Sequence, residues 1–288
     1  MLNKLFKHEF KTISKMGGLL VGVSGAVTLL AAAYLISPLF SVFLNRGNTM
    51  SVGMSVVSVL IGVLGILSYV AMLVGVSFGF TIYLGVRFFR SMYSDEGYLT
   101  NTLPVKPMEL LVAKVITAAV WSLIMNLVMY AFVILLVLIG TSRVLDLNFF
   151  DMIKSFREFI DLVMEYLFSD MRKDLAASAV LILVMMIIGP FAEIATLFGA
   201  LTLGQLSWKN KGLMGVLVYL GLRMVMGVVG GIANIAFNVA TFSRVAQGNG
   251  TLFLANGRYL VSLLISVAFG GLLFVISGYI VKNKLNLE

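Results

Sequence analysis

Apolar residues run almost unbroken through six stretches of this chain, at 17–43, 52–86, 110–140, 177–206, 213–242 and 259–281. An α-helix needs about 20 apolar residues to cross the hydrocarbon of a bilayer, and each stretch reaches that length. The pattern predicts an all-α integral membrane protein, with a single domain over 1–288 and six transmembrane helices. Polar breaks separate the runs: a turn with Asn45, Arg46 and Gly47, the stretches 87–109 and 141–176, a turn with Lys209 and Lys211, and the stretch 243–258. Before the first run, Lys4, Lys7, Lys11 and Lys15 surround His8, which predicts a basic interfacial helix over 1–16. The run that follows is far longer than the roughly 7–15 residues of a signal-peptide core, so it is read as a retained first helix.

Composition sharpens this picture. Hydrophobic residues make up 60% of the 288 and charged residues 12%, about half the charge of a soluble domain, so no water-soluble surface can be assembled from them. With no cysteine, disulfides, thiolate catalysis and cysteine metal sites are excluded. His8 is the one histidine, and imidazole ligands come in clusters, so no metal site is expected. The net charge of +8 fits cytoplasmic loops and anionic lipid better than nucleic acid, which is not expected as a partner.

The positions of Lys and Arg orient the spans. With the N-terminus inside, 12 of the 21 cations fall on the inner side and 8 on the outer, and Arg223 lies in the membrane. Five of the outer eight, Arg143, Lys154, Arg157, Arg172 and Lys173, share 141–176 with seven acids. The expectation is a multi-pass protein of the cell membrane with both termini and 87–109 cytoplasmic, and with 141–176 extracellular. The two halves differ in loop lengths and breaker positions, which weighs against a transporter built on an inverted repeat.

Catalytic motifs are missing. There is no Gly-x-x-x-x-Gly-Lys-Ser/Thr phosphate loop, no His-Glu-x-x-His and no serine elbow, so no catalytic or metal-binding residue is expected and the chain is not read as an enzyme. The informative polar stretch runs from Arg87 to Glu109. Arg87, Phe88, Phe89 and Arg90 leave the membrane, and Ser94, Asp95, Glu96 and Gly97 form a polar turn. Tyr98 and Leu99 make an apolar knob, Thr100, Asn101, Thr102 and Leu103 follow, and Pro104 and Pro107 stiffen the exit. On physical grounds alone this is also how a solvated loop looks.

The run from Ser94 to Val105, followed by Leu110, Lys114 and Trp121, resembles the loop after the second helix in ABC-2-type transporter permeases of Gram-positive bacteria. The local likeness covers about 35 residues, and the six-helix plan with both ends inside fits that family, of type V exporter-like fold, over the whole chain. The resemblance implies that Ser94, Asp95, Glu96, Gly97, Tyr98, Leu99, Thr102 and Leu103 belong to or adjoin a cytoplasmic coupling helix. It implies that Leu2 to Lys15 is the interfacial connecting helix. It further implies two cytoplasmic ABC ATPase subunits that carry the ATP and Mg, a second permease copy or homologue, and no cofactor in this chain. Relatives export amphipathic peptides, lantibiotics, drugs and polysaccharides. Of these, amphipathic or hydrophobic peptides, such as phenol-soluble-modulin-like toxins, suit a chain with 17 Met and 21 Phe that can line an adaptable apolar cavity. A drug or lipid exporter, an ATP-independent secondary transporter or channel, and a membrane sensor are the alternatives.

Three features go beyond the family plan. In 141–176, Phe149, Ile153, Phe156, Ile160, Val163, Leu167 and Met171 recur at helical spacing opposite charged positions, predicting an amphipathic extracellular helix with Asn148 as its cap. Within the membrane only Glu193 and Arg223 are expected to be charged, Lys114 near the start of the third run being counted on the inner side. They stand 13 residues before 206 and 10 after 213, so both lie roughly 15–20 Å deep and can pair, with Pro190 bending the helix one turn before Glu193. Arg223, Gly227, Gly230, Gly231, Asn234 and Asn238 share one face of the fifth helix, and Gly62, Gly65, Gly75 and Gly79 share a stripe on the second. Such stripes serve close helix packing. Glu193, Arg223, Asn234 and Asn238 are therefore candidates both for a structural intramembrane pair and for a translocation wall.

Overall fold

The computed structural model describes residues 2–37, 40, 52–94, 97, 107–145, 150, 151, 154, 157, 158, 161, 173–207, 210–246 and 251–283. Six long helices account for most of them: α1 (Leu2–Ile36), α2 (Val52–Tyr93), α3 (Pro107–Leu145), α4 (Lys173–Gly204), α5 (Lys211–Ala246) and α6 (Thr251–Asn283). All six are long and apolar enough to cross a membrane, and no strand occurs among the described residues. Helices satisfy every backbone group within the segment, the condition for crossing a medium without water. Their outward surfaces match that medium: Leu29, Leu30, Phe78, Met224 and Val239 are each at least 66% exposed. In water such a surface would aggregate; in lipid it is solvated.

Each helix outruns its apolar core. The 42 residues of α2 make a rod of about 63 Å against a hydrocarbon layer of about 30 Å. α1 runs unbroken from Leu2, so the basic segment expected as a separate interfacial helix is its continuous first turns. α3 opens on Pro107, whose missing N–H costs nothing at the first helical position, with Glu109 in the first turn. Arg90, Arg143 and Lys282 stand in the last turns of α2, α3 and α6, beside the carbonyl ends that favour cations. Between α4 and α5 the chain tightens, as Leu206 N donates to Leu203 O and Ser207 N to Gly204 O. Asn210 then adopts φ 48°, a left-handed conformation that asparagine tolerates, and its carbonyl accepts from Met214 N to start α5.

The chain divides into two compact units, one of Met1–Ile13, Ile82–Leu123 and Leu167–Glu288, the other of Ser14–Thr81 and Ile124–Tyr166. In the first, α4 packs on α5 and α6. Close approach depends on glycine: a Cβ on Gly199 would lie 2.7 Å from Leu273 Cβ, and one on Gly270 2.9 Å from the Ala192 carbonyl. Gly204 and Gly215 bring α4 and α5 together in the same way. The Phe88 and Phe198 rings stack at 3.9 Å, and Tyr93 Oη donates to Thr202 Oγ1 at 2.8 Å. In the second unit, the Thr28 and Tyr69 hydroxyls pair at 3.1 Å, and Arg143 donates to the Ile36 carbonyl near the end of α1.

Most of the glycine-stripe positions do not pack against another helix of this chain. Gly65, Gly75 and Gly79 of α2 and Gly227, Gly230 and Gly231 of α5 have nothing within 4 Å of where a Cβ would stand. Within this chain they are open surface.

Candidate functional site

The polar face of α5 is the first candidate. Glu193 lies 11 residues before Gly204 and Arg223 lies 12 after Lys211, which at 1.5 Å per residue puts them about 17 and 18 Å from their helix ends. Arg223 Nη2 donates to Glu193 Oε1 in an ion pair whose two side chains are each 40% exposed. Tyr219, one turn before, holds the guanidinium twice: its hydroxyl accepts from Arg223 Nε at 3.0 Å, and its ring lies 5.3 Å beneath the cation. Further along the face, Asn234 Nδ2 donates to the Gly230 carbonyl while its Oδ1 is buried without a partner. Asn238 Oδ1 accepts from Arg258 Nε of α6 at 3.1 Å. From Arg223 to Asn238 the line covers 15 residues, about 22 Å of helix.

α4 passes through Pro190, which leaves the Met186 carbonyl without its i+4 donor three residues before Glu193. Tyr219 and Arg258 were not singled out in the sequence. Arg258 reads there as the end of a loop, whereas the structure places it inside α6, facing Asn238.

The second candidate was not anticipated. Glu9 of α1 accepts from Lys114 Nζ at 2.6 Å through Oε1 and from Arg87 Nη2 at 2.8 Å through Oε2, and Lys114 also donates to Ser91 Oγ at 2.9 Å. Side-chain exposure falls from 23% at Arg87 to 10% at Glu9 and 4% at Lys114. Ile13, Leu84, Phe88, Ala118 and Phe198 surround the three charges and a cavity of about 10 Å³. Phe10, beside Glu9, packs on Trp121 with ring centres 5.1 Å apart. This docking is why the first turns of α1 belong to the bundle, leaving Lys7, His8 and Lys11 on the exposed side. A signal existed in the sequence: Glu9 is the only acid in the first 94 residues.

Of the coupling run, the structure describes two residues. Ser94 Oγ donates to the Arg90 carbonyl at 2.6 Å, and Gly97 N donates to the Ser94 carbonyl at 2.6 Å. The chain there folds back on the end of α2 so closely that a Cβ on Gly97 would stand 2.6 Å from the Met92 carbonyl. Only glycine fits. Asp95, Glu96, Tyr98, Leu99, Thr102 and Leu103 lie outside the described residues. In the predicted outer helix, Asp151, Lys154, Arg157, Glu158 and Asp161 are helical and exposed, while its apolar positions Ile153, Phe156, Ile160, Val163, Leu167 and Met171 lie outside the described residues. Among the described residues no three His, Asp or Glu side chains gather closely enough to hold a metal ion.

Compared with protein-family models, curated proteins and solved structures, the chain matches none. Its functional reading therefore stands on its own residues.

Proposed function

We propose that this chain is the membrane-spanning permease subunit of an ATP-driven exporter of the ABC-2 type. It works with a second permease copy or homologue and with two cytoplasmic ATPase subunits that bind ATP and Mg. The observation that carries the reading is the open polar line on α5, where an ion pair 40% exposed at mid-helix depth continues through Asn234 to Asn238. A charge facing lipid costs at least about 2.5–3.5 kcal/mol on insertion scales, so a surface of this kind belongs against water, cargo or another polypeptide. Amphipathic or hydrophobic peptides are the cargo this surface suits, with charge and amide groups at one side of an otherwise apolar wall.

The resemblance over Ser94–Val105 supplies the drive. Asp95 and Glu96 offer two acids for basic residues of an ATPase, and Tyr98 with Leu99 fills a groove, which makes a compact interface anchor. Changing Tyr98 and Leu99 together to Ala leaves the membrane helices untouched. The expected result is normal insertion with loss of ATPase co-purification or of cargo-stimulated ATP hydrolysis. Wild-type assembly and wild-type export in this variant would return the stretch to an ordinary loop, and cargo flux through liposomes holding the purified chain alone would favour an ATP-independent transporter.

An even number of spans puts both termini on one side, and the cation bias makes that side the cytoplasm. Single cysteines are readily introduced into a chain that has none. In intact cells an impermeant maleimide is expected to label a cysteine at position 158 and to spare one at position 96. The opposite pattern overturns the orientation.

A further inference from the structure

The ion pair on the polar face of α5 uses only part of what its two side chains can bond. A carboxylate has two oxygens, and among the described residues Glu193 accepts through Oε1 alone, from Arg223 Nη2. A guanidinium carries N–H donors along two edges. Nε and Nη2 share one edge, and that edge is taken, by the Tyr219 hydroxyl at 3.0 Å and by Glu193. The other edge, Nη1 with the second hydrogen of Nη2, donates to no described residue. Tyr219 also backs one face of the cation, its ring 5.3 Å away. Held on one edge and one face, the guanidinium turns its unused fork away from its anchors. There is space beside the pair. Both side chains are 40% exposed, and one turn further along α5 nothing stands within 4 Å of where a Cβ on Gly227 would be.

Charge limits what can fill this space. The pair is neutral in sum and lies about 17–18 Å from the ends of α4 and α5, a depth at which net charge is costly. An occupant with a single charge would leave the site charged. An occupant with none would leave the open fork and the open oxygen without ionic partners. A cation beside an anion satisfies both and keeps the sum at zero. On a helix, Glu and Lys one turn apart present such a pair, their Cβ atoms about 5–6 Å from each other.

We propose that Glu193 and Arg223 form a recognition site for a zwitterionic segment of the cargo, a helical peptide whose polar face carries an acid and a lysine one turn apart. The acid takes the outer fork of Arg223, and the ammonium takes Glu193 Oε2. This rests on the exporter reading and narrows its cargo from amphipathic peptides in general to those with an internal ion pair. A phospholipid with an amino headgroup carries the same two charges, so the test separates the two sources.

The full chain, purified in a non-ionic maltoside detergent, is titrated with three fluorescent amphipathic peptides that differ only at two positions one turn apart: Glu with Lys, Gln with Gln, or Lys with Lys. The Glu and Lys peptide is expected to bind about tenfold more tightly than either of the others, the scale on which a charge-assisted hydrogen bond exceeds a neutral one. The double variant Glu193→Gln, Arg223→Gln is expected to bind the Glu and Lys peptide no better than the Gln peptide. A merely structural pair would leave that ratio unmoved. Equal binding of these two peptides by wild type, or a preference that survives in the double variant, overturns the proposal. So does equally tight binding of the Lys peptide, which would report attraction to the carboxylate alone. The wild-type comparison needs no variant, so it decides the matter even if the double variant folds poorly. A second arm adds phosphatidylethanolamine to the micelles. The preference is expected to persist, and its loss overturns the peptide as the occupant. Export of the Gln peptide from cells is a separate readout: its absence counts against the exporter reading, whereas its presence together with equal binding of the Glu and Lys peptide overturns the recognition site alone.

Discussion

Replacing Glu9 with Ala is expected to lower the stability of the folded chain by about 3–5 kcal/mol, the cost of stripping the partner from a buried charge. Lys114 sets the size of the effect. Its side chain is 4% exposed, and its ammonium donates to Glu9 Oε1 at 2.6 Å as well as to Ser91 Oγ at 2.9 Å, so the carboxylate is a close counter-charge to a sealed cation. Arg87 suffers less, since its 23% exposure lets solvent share its charge. If unpaired charge is the cause, removing the second charge repairs the damage: Glu9→Ala with Lys114→Met should recover more than half of the loss, because methionine fills similar volume without a charge to solvate. Lys114→Met alone should cost less than Glu9→Ala, as Arg87 still holds Glu9 Oε2 at 2.8 Å. Equilibrium unfolding of the purified variants in detergent measures all three. An unchanged midpoint for Glu9→Ala, or a double variant no better than the single, would show that the cluster does not hold α1 in place.

The contrast between Glu9 and Glu193 explains what the sequence disclosed and what it withheld. Depth in a membrane is close to a one-dimensional coordinate along each helix, so counting residues from the ends of two consecutive runs is enough to put Glu193 and Arg223 at one level. The structure brings those two together. Glu9 meets Arg87 and Lys114 across 78 and 105 residues of chain, and no periodicity encodes which faces of α1, α2 and α3 turn toward each other. What the sequence did hold was an oddity of composition, a single acid among 94 residues. An isolated acid amid lysines is a reason to look for a buried partner.

Helix ends were misplaced for a related reason. Polarity marks where a chain leaves the hydrocarbon, which is not where it stops being helical. Arg87 and Arg90 read as leaving the membrane in a short helix of their own, and α2 runs through them unbroken to Tyr93 because Phe88 and Met92, four apart, are 2% and 0% exposed and hold its last turns against the bundle. The glycine stripes show the converse limit. A spacing of three and four places Gly227, Gly230 and Gly231 on or near one face, but that spacing serves a packed interface and an open wall equally. Here close packing falls at glycines such as Gly199, Gly204, Gly215 and Gly270, with no longer a stripe to announce them.

The open wall leads to the second large effect. Arg223→Gln and Glu193→Gln are each expected to reduce export and folded yield, and the double variant to fall short of their sum by about 1–2 kcal/mol of coupling energy. A lone carboxylate or guanidinium about 17 Å from its helix end carries an insertion cost of at least roughly 2.5–3.5 kcal/mol, which two neutral amides do not incur. The two singles should not be equal. Without Glu193, Arg223 keeps the Tyr219 hydroxyl at 3.0 Å and the ring face at 5.3 Å, whereas Glu193 accepts from no other side chain among the described residues once Arg223 is gone. Arg223→Gln is therefore the more damaging change, and Tyr219→Phe, which keeps the ring but loses the hydroxyl, should deepen the defect of Glu193→Gln while doing little alone. Strict additivity in the cycle would mean that the pair is not formed in the membrane. Full coupling in stability with unimpaired export would separate the pair from the translocation path, since a wall that touches cargo cannot lose both of its charges without changing what it carries.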